Sequence, residues 1–111
     1  MVLVTGPFCS GKKTFVREWK GWTETQLSAH AVWDVQKLAQ ETDDLEALCR
    51  KLSQYDVVII TETGAGVVPI DANERHAREQ AGRLGCLLAG QASCVVRVYC
   101  GIPTVIKGVL E

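Results

Sequence analysis

The stretch Met1-Val2-Leu3-Val4-Thr5-Gly6-Pro7-Phe8-Cys9-Ser10-Gly11-Lys12 decides the fold. It opens with a short apolar run, followed by a glycine, four free positions and Gly-Lys, which is the Walker A frame of a phosphate loop. Glycines let the backbone curl so that successive N–H groups face phosphate oxygens, and the following helix start adds partial positive charge. The expected nucleotide-binding residues are Gly6, Pro7, Phe8, Cys9, Ser10, Gly11, Lys12, Lys13 and Thr14.

Three residues at the end of this loop carry the expected chemistry. Lys12 would place its ammonium against the β- and γ-phosphates of a nucleotide. The next position normally carries the hydroxyl that ligates Mg²⁺, but here it is Lys13. Thr14 offers its hydroxyl one residue later, about 100° further round a helix, so it serves as metal ligand only in a re-registered loop. The alternative is a glycine-rich turn that binds nothing.

Bulk composition limits the classes of protein that need considering. A chain of 111 residues is expected to form a single domain, residues 1–111. With 47% hydrophobic and 23% charged residues, it is typical of a globular protein and not of a disordered one. The net charge of -1 provides no overall field for nucleic acid or an anionic membrane, so neither is an expected partner.

The cysteines and the apolar segments indicate a compartment. An odd number of cysteines without CxxC spacing favours reduced thiols over a disulfide framework or a zinc site; they are Cys9, Cys49, Cys86, Cys94 and Cys100. Residues 1–5 are too few for a secretion signal, and no apolar run reaches the length of a membrane span. We therefore expect a cytoplasmic protein.

Apolar runs and helical patterns alternate along the chain. Strands are predicted over residues 2–4, 31–33, 57–60 and 95–99, with a fifth over 104–106. Helices are predicted over residues 12–19, 43–52 and 72–89, the last with Asp71 as N-cap. This order predicts an α/β fold: a P-loop NTPase-like (RecA-like), mostly parallel sheet of about five strands with flanking helices.

A second polar segment follows the most apolar strand. In open α/β sheets ligands bind beyond the carboxyl ends of the strands, so Glu62 is expected near the mouth of the phosphate loop. A carboxylate there suits a metal-bound water, a substrate hydroxyl or the role of base. Gly64 and Gly66 would let the backbone approach a substrate closely. The alternative is a glycine turn with a solvated glutamate.

The third predicted helix begins with a cluster of cationic side chains. Arg75, His76 and Arg78 are candidates for binding a phosphate or carboxylate of a substrate. A solvated polar face is the common alternative. His30 is isolated before a predicted strand, and a surface or packing role is expected for it.

These residues resemble the adenosylcobinamide kinase / adenosylcobinamide-phosphate guanylyltransferase family of cobalamin biosynthesis. The resemblance covers about the first twenty residues and everything from about residue 56 onward. It is carried by residues that occur in the family's order and near its spacing: Ser10, Gly11, Lys12, Glu62, Gly64, Gly66, Val67, Val68, Pro69, Arg75, Arg78, Glu79, Gly82, Ala89, Gly101, Pro103 and Lys107.

The resemblance implies a function. Members bind ATP or GTP with Mg²⁺, phosphorylate a corrinoid alcohol, and assemble as homo-oligomers, typically trimers. Carried over, it makes Lys12 and Glu62 the catalytic residues. The family's long middle, with its guanylylated histidine, is replaced here by residues 20–54, and His30 lacks the matching flanks. Guanylyltransferase activity, which needs that nucleophile, is therefore not expected.

Two other functions remain open. One is a degenerate, non-catalytic nucleotide sensor or assembly module, which Lys13 and the short middle favour. The other is a plain α/β structural domain with an empty loop. Binding of nucleotide in the presence of Mg²⁺ separates the last possibility from the other two.

Overall fold

A computed structural model describes residues 1–62 and 71–111. Its strands are β1 (Val2–Gly6), β2 (Ala31–Val32), β3 (Val57–Thr61), β4 (Cys94–Tyr99) and β5 (Ile102–Lys107). Its helices are α1 (Lys12–Lys20), α2 (Glu24–His30), a 3₁₀ helix (Val35–Glu41), α3 (Leu45–Leu52) and α4 (Ala72–Gln91).

The strands form one sheet in the order β2-β3-β1-β4-β5. The first four strands are mutually parallel, and β5 returns antiparallel to β4. This is the mostly parallel, P-loop NTPase-like α/β sheet that the sequence predicts. Because β1 lies in the centre, its carboxyl end delivers the phosphate loop to the middle of one edge of the sheet.

Each face of the sheet carries its own apolar core. The 3₁₀ helix, α3 and α4 cover one face with a cluster that includes Val35, Leu52, Leu84 and Leu88. Helices α1 and α2 cover the other face through Val16 and Leu27, with the three tryptophans packed at its margin. All five residues of β3 are buried, as expected for a strand that is covered on both faces.

Local signals set the ends of the helices. Gly21 ends α1 in the left-handed conformation (φ 67°), where glycine carries no steric penalty. The Asp71 carboxylate accepts a hydrogen bond from the Asn73 N–H and caps α4, as predicted. Thr23 and Gln26 form a capping box at the start of α2, a helix that the sequence interpretation did not include.

The middle of the chain holds more structure than the sequence predicted. Residues 20–54 contain α2, the 3₁₀ helix and α3, and the predicted strand at 31–33 is only two residues long. His30 lies on the surface, where Nδ1 is 3.0 Å from the Asp56 carboxylate and the ring stacks on Trp22. Across the described ranges, none of the helices combines the length and apolar character that a membrane crossing requires.

Candidate functional site

The phosphate loop leaves β1 at a position where only glycine fits. A Cβ atom at Gly6 would collide with the Val98 carbonyl oxygen and would lie 2.7 Å from the Ser10 Oγ. Two later residues take the left-handed conformation, Cys9 (φ 57°) and Gly11 (φ 88°), and Gly11 then caps the start of α1. The chain thus makes the tight strand-to-helix curl that a phosphate loop needs.

The turn between β4 and β5 supports this loop from the side. The Gly101 N–H donates a 2.8 Å hydrogen bond to the Ser10 carbonyl oxygen. A Cβ at Gly11 would lie 3.5 Å from the Gly101 Cα, so the two backbones are in close contact. The turn itself has two left-handed residues, Cys100 (φ 51°) and Gly101 (φ 75°), as tight hairpins require.

Lys12 is the buried cation of the loop. Its side chain folds back so that Nζ donates to the Pro7 carbonyl oxygen at 2.6 Å and lies 3.4 Å from the Ser10 Oγ. Desolvation by burial lowers the pKa of Lys12, and the nearby carboxylates of Asp34 and Glu62 offset part of that effect. The ammonium therefore lies among neutral oxygens, with negative charge close but not in contact.

A cavity of about 210 Å³ opens over the loop and the start of α1. Among the described residues, its walls are Phe8, Cys9, Ser10, Gly11, Lys12, Lys13, Thr14, Trp33, Asp34, Ile59 and Thr61. Seven consecutive residues of the predicted nucleotide site, 8–14, therefore lie around one space. Phe8, at the tip of the loop, is 83% exposed, so it is available to a ligand and does not belong to the core.

Lys13 lies at the rim of this cavity. Its ammonium is 4.4 Å from the centre of the Trp33 ring, a cation–π contact between α1 and the end of β2. An ammonium has no lone pair to offer a metal ion, so Lys13 cannot perform the task of the hydroxyl usually found at that position.

Asp34 was not predicted from the sequence as a site residue. It follows Trp33 in the left-handed conformation (φ 55°), and its Oδ1 lies 3.5 Å from the Thr61 hydroxyl. The signal available in the sequence was its position just beyond a strand of the parallel sheet, the same rule that singled out Glu62. The buried Gln36 supports this corner, because its Oε1 accepts a 3.0 Å hydrogen bond from the Thr61 N–H.

Residues suited to Mg²⁺ are present around the loop. Thr14 and Asp34 both line the cavity and offer the hard oxygen ligands that this ion prefers. In the described ranges, no three His, Cys, Asp or Glu side chains group as a metal site. A Mg²⁺ ion here would therefore take most of its ligands from bound phosphates and water, as is usual for nucleotide sites.

Glu62 lies where the sequence predicts it, beside the start of the loop. Its backbone N–H donates to the Gly6 carbonyl oxygen at 2.8 Å. Its carboxylate accepts from Arg97 Nε at 3.0 and 3.2 Å, and both side chains are partly exposed. Arg97 was missed by sequence reasoning. The clue in the sequence is that this arginine interrupts the otherwise apolar run of residues in β4.

The remaining predicted site residues lie elsewhere. Gly64 and Gly66 fall outside the described residues. Arg75 and Arg78 are on α4, and Arg78 lines a groove between α4 and the 3₁₀ helix. Neither arginine is among the described residues that line the cavity over the phosphate loop. The site brought together by the described residues is thus residues 8–14 with Asp34 and Thr61, next to Glu62.

Comparison with known proteins confirms the family but corrects the extent of the resemblance, because the matched region includes residues 20–54, which the sequence analysis set aside. The sequence model of the family described as cobinamide kinase / cobinamide phosphate guanyltransferase matches residues 18–106, most of the chain but not the phosphate loop. The bifunctional adenosylcobalamin biosynthesis protein CobU of Escherichia coli is 37% identical over 79 residues, covering 68% of this chain and 44% of that protein. The protein of the same name from Salmonella typhimurium is 35% identical over 79 residues, with the same coverage. The chain thus spans about half the length of these relatives.

Proposed function

The chain belongs to the cobinamide kinase / cobinamide phosphate guanyltransferase family, and from this premise we propose that it binds the phosphates of ATP or GTP in the loop Gly6–Lys12. The observation that carries the proposal is the buried Lys12 ammonium, whose hydrogen-bond partners among the described residues are neutral oxygens of its own loop. Phosphate oxygens would replace those partners and bring negative charge into direct contact with the ammonium.

The proposed reaction is transfer of the γ-phosphoryl group to an alcohol of a corrinoid substrate. The acceptor oxygen forms a bond to phosphorus, the bond to the nucleoside diphosphate breaks, and the acceptor proton passes to the Glu62 carboxylate. Lys12 stabilises the charge that develops on the phosphoryl oxygens. When bound, Mg²⁺ would be held by Thr14 and Asp34 and would neutralise phosphate charge.

The proposal does not include guanylyl transfer. That reaction needs an imidazole within reach of the nucleotide phosphates. His30 precedes β2, at the amino end of that strand, whereas the phosphate loop lies at the carboxyl ends of the parallel strands. His30 is also paired with Asp56 on the surface. The other histidine, His76, lies on α4 and is not among the described residues that line the cavity over the loop.

A second candidate function is a nucleotide-binding module without catalysis. Lys13 favours it, because an ammonium stands where the metal-binding hydroxyl of an active loop is expected. In such a module the positive charges of Lys12 and Lys13 would hold the phosphates without need of a metal ion.

Isothermal titration with ATP and with GTP, each with Mg²⁺ and with EDTA, tests the proposal. Binding that Mg²⁺ strengthens supports a kinase-like site, and the variant Thr14→Val should then lose most of that dependence. Binding of equal strength in EDTA supports the non-catalytic module, in which Lys13→Ser should gain a dependence on Mg²⁺. If neither nucleotide binds under any of these conditions, the phosphate site itself is refuted.

We further propose that the chain works as a homo-oligomer in the cytoplasm, with the trimer that the family resemblance implies. The apolar side chains on β5 support an interface, since Ile102 is 66% and Ile106 60% exposed. Pro103 has no N–H with which the edge strand β5 could bind a further strand. Contact between the faces of two sheets is therefore favoured over extension of one sheet. The unpaired cysteines of the described chain suit a reducing compartment. Light scattering gives the oligomeric state directly.

A further inference from the structure

A second cavity lies on the sheet face that carries α4. This cleft has a volume of about 470 Å³ and lies between α4 and the strands β1, β3 and β4. Its described walls are Leu3, Thr5, Ile60, Thr61, Glu62, Ala81, Gly82, Gly85, Cys86, Ala89 and Val95. Of these wall residues, Glu62 is the one that the sequence predicts as a catalytic residue.

The cleft lies along small residues of α4, beside the leucines Leu84 and Leu88 that this helix buries against the sheet. Gly82, Gly85 and Ala89 occupy one side of the helix over the apolar floor of Leu3 and Val95. A Cβ at Gly85 would already be in van der Waals contact with the Ile60 Cδ1 at 3.7 Å, so a longer side chain there would have to take its room from the cleft. The lower part of the cleft is thus apolar and suited to an uncharged group.

The described residues at the rim of the cleft are polar, and the negative charge of Glu62 is balanced by the positive charge of Arg97. Thr5 lies between Ile60 and Arg97 in the sheet register. Arg97 Nε contacts both oxygens of Glu62, so the carboxylate at the rim already has its counter-charge. A ligand with its own net charge would disturb this pair, whereas a hydroxyl could donate to the Glu62 carboxylate, and donate to or accept from the Thr5 hydroxyl, without doing so.

The cleft adjoins the phosphate loop. Thr61 lines both the cleft and the cavity over the loop, and the Glu62 N–H bonds to the Gly6 carbonyl oxygen. The two spaces therefore meet at the carboxyl ends of β1 and β3. A molecule in the cleft would have its outer end beside a nucleotide bound in the loop.

We infer that this cleft receives the uncharged, apolar part of the phosphoryl acceptor, with the reacting hydroxyl at the rim formed by Thr5 and Glu62. The inference rests on the proposed function and adds the location and chemical class of its second substrate. Arg97 Nε contacts the Glu62 carboxylate at this rim. A volume of this size takes a small alcohol, or one arm of a much larger molecule.

Two exposed cysteines report on the two cavities separately. Cys9 lines the cavity over the loop, whereas Cys86 lines the cleft and also a neighbouring groove between α3 and α4. Variants of Gly85, which lines the cleft but not that groove, therefore assign the Cys86 result. We expect cyclohexanol to slow the reaction of Cys86 with N-ethylmaleimide by about tenfold at saturation, with no effect on Cys9. Cyclohexanecarboxylate should protect much less. ATP should protect Cys9 and leave Cys86 reactive. Peptide mass spectrometry measures each rate.

A pair of matched variants of α4 locates the binding. Gly85→Leu fills the cleft and should abolish protection of Cys86 by cyclohexanol, while protection of Cys9 by ATP remains. Gly90→Leu makes the same change on the same helix at a residue outside the cleft, where a Cβ has open space, and should leave both effects intact. Should Gly85→Leu fail to fold, Gly85→Ala is expected to reduce the protection in part.

The possible failures are distinguishable. If cyclohexanol does not protect Cys86, if it protects equally in Gly85→Leu, or if the carboxylate protects as well as the alcohol, the cleft is not the acceptor site. If ATP fails to protect Cys9 and shows no binding by titration, the proposed function falls, while the alcohol results still decide what the cleft binds.

Discussion

Replacing Lys12 with methionine removes the buried ammonium from the phosphate loop and leaves a side chain of similar length. In the structure this ammonium donates to the Pro7 carbonyl oxygen at 2.6 Å. In the nucleotide complex we expect it to contact phosphate oxygens instead. A hydrogen bond to a charged group contributes about 1.5–3 kcal/mol. At about 1.4 kcal/mol per tenfold change in affinity, the Kd for ATP should rise about 10- to 150-fold.

The same substitution should not destabilise the fold. Burial lowers the pKa of Lys12 below its ordinary value of 10.5, so the charged form is less favoured in the folded chain than in the unfolded chain. This penalty is present in full below the lowered pKa and disappears as the pH rises toward 10.5. The variant should therefore be at least as stable as the wild type at pH 7, and its advantage should shrink in alkaline solution.

Isothermal titration and urea unfolding at several pH values test both expectations. Lys20→Met is the matched control, because Lys20 lies at the end of α1 with its ammonium over Trp19 and outside the loop. An unchanged Kd for ATP in a folded Lys12→Met protein would refute the argument that this ammonium meets the phosphates. A large loss of stability at pH 7 would refute the argument that its burial is unfavourable.

Gly6→Ala should lower the free energy of unfolding by about 1–3 kcal/mol or more, because the new Cβ meets the Val98 carbonyl oxygen. Gly90→Ala, in open space on α4, should raise that free energy by about 0.5–1 kcal/mol. If urea unfolding finds Gly6→Ala as stable as Gly90→Ala, the steric argument is contradicted. Ellman's reagent should titrate three thiols in the native protein, on the exposed cysteines Cys9, Cys86 and Cys100. Burial raises the pKa of Cys94, so that thiol should stay unreactive until unfolding, and stability should decline as the pH rises above the ordinary value of 9.0.

Much of the sheet could be predicted from the sequence because its signals are local. The Gly6–Lys12 pattern between an apolar run and a helix specifies a strand, loop and helix by itself. The uninterrupted apolar residues of β3 indicate a strand covered on both faces, which the structure confirms. Asp71 and Gly21 mark helix ends through their own side-chain chemistry or backbone freedom.

What the sequence did not predict depends on tertiary contacts. The 3₁₀ helix is stabilised by its packing against α4 and by the hydrogen bond from the Thr61 N–H to Gln36. These two residues are 25 positions apart in the sequence. Asp34 enters the site only because β2 pairs beside β3. Arg97 on β4 meets Glu62 after β3 across the one strand between them, β1, so the sequence marks Arg97 as unusual in its strand but does not indicate its partner. The cleft beside α4 likewise needs the helix and three strands in place before it exists.

The bond between Ser10 and Gly101 also bears on when the site forms during synthesis. Its partners are separated by almost the whole chain, and β1 cannot gain its second neighbour until β4 has been made. Contacts of such separation are slow to close and come late in folding. In a nascent chain whose strands β4 and β5 are still inside the ribosome, the phosphate loop would therefore lack the hydrogen bond from Gly101. Under the proposed function, nucleotide would be captured by molecules in which β4 and β5 have folded, and its binding would then stabilise them selectively.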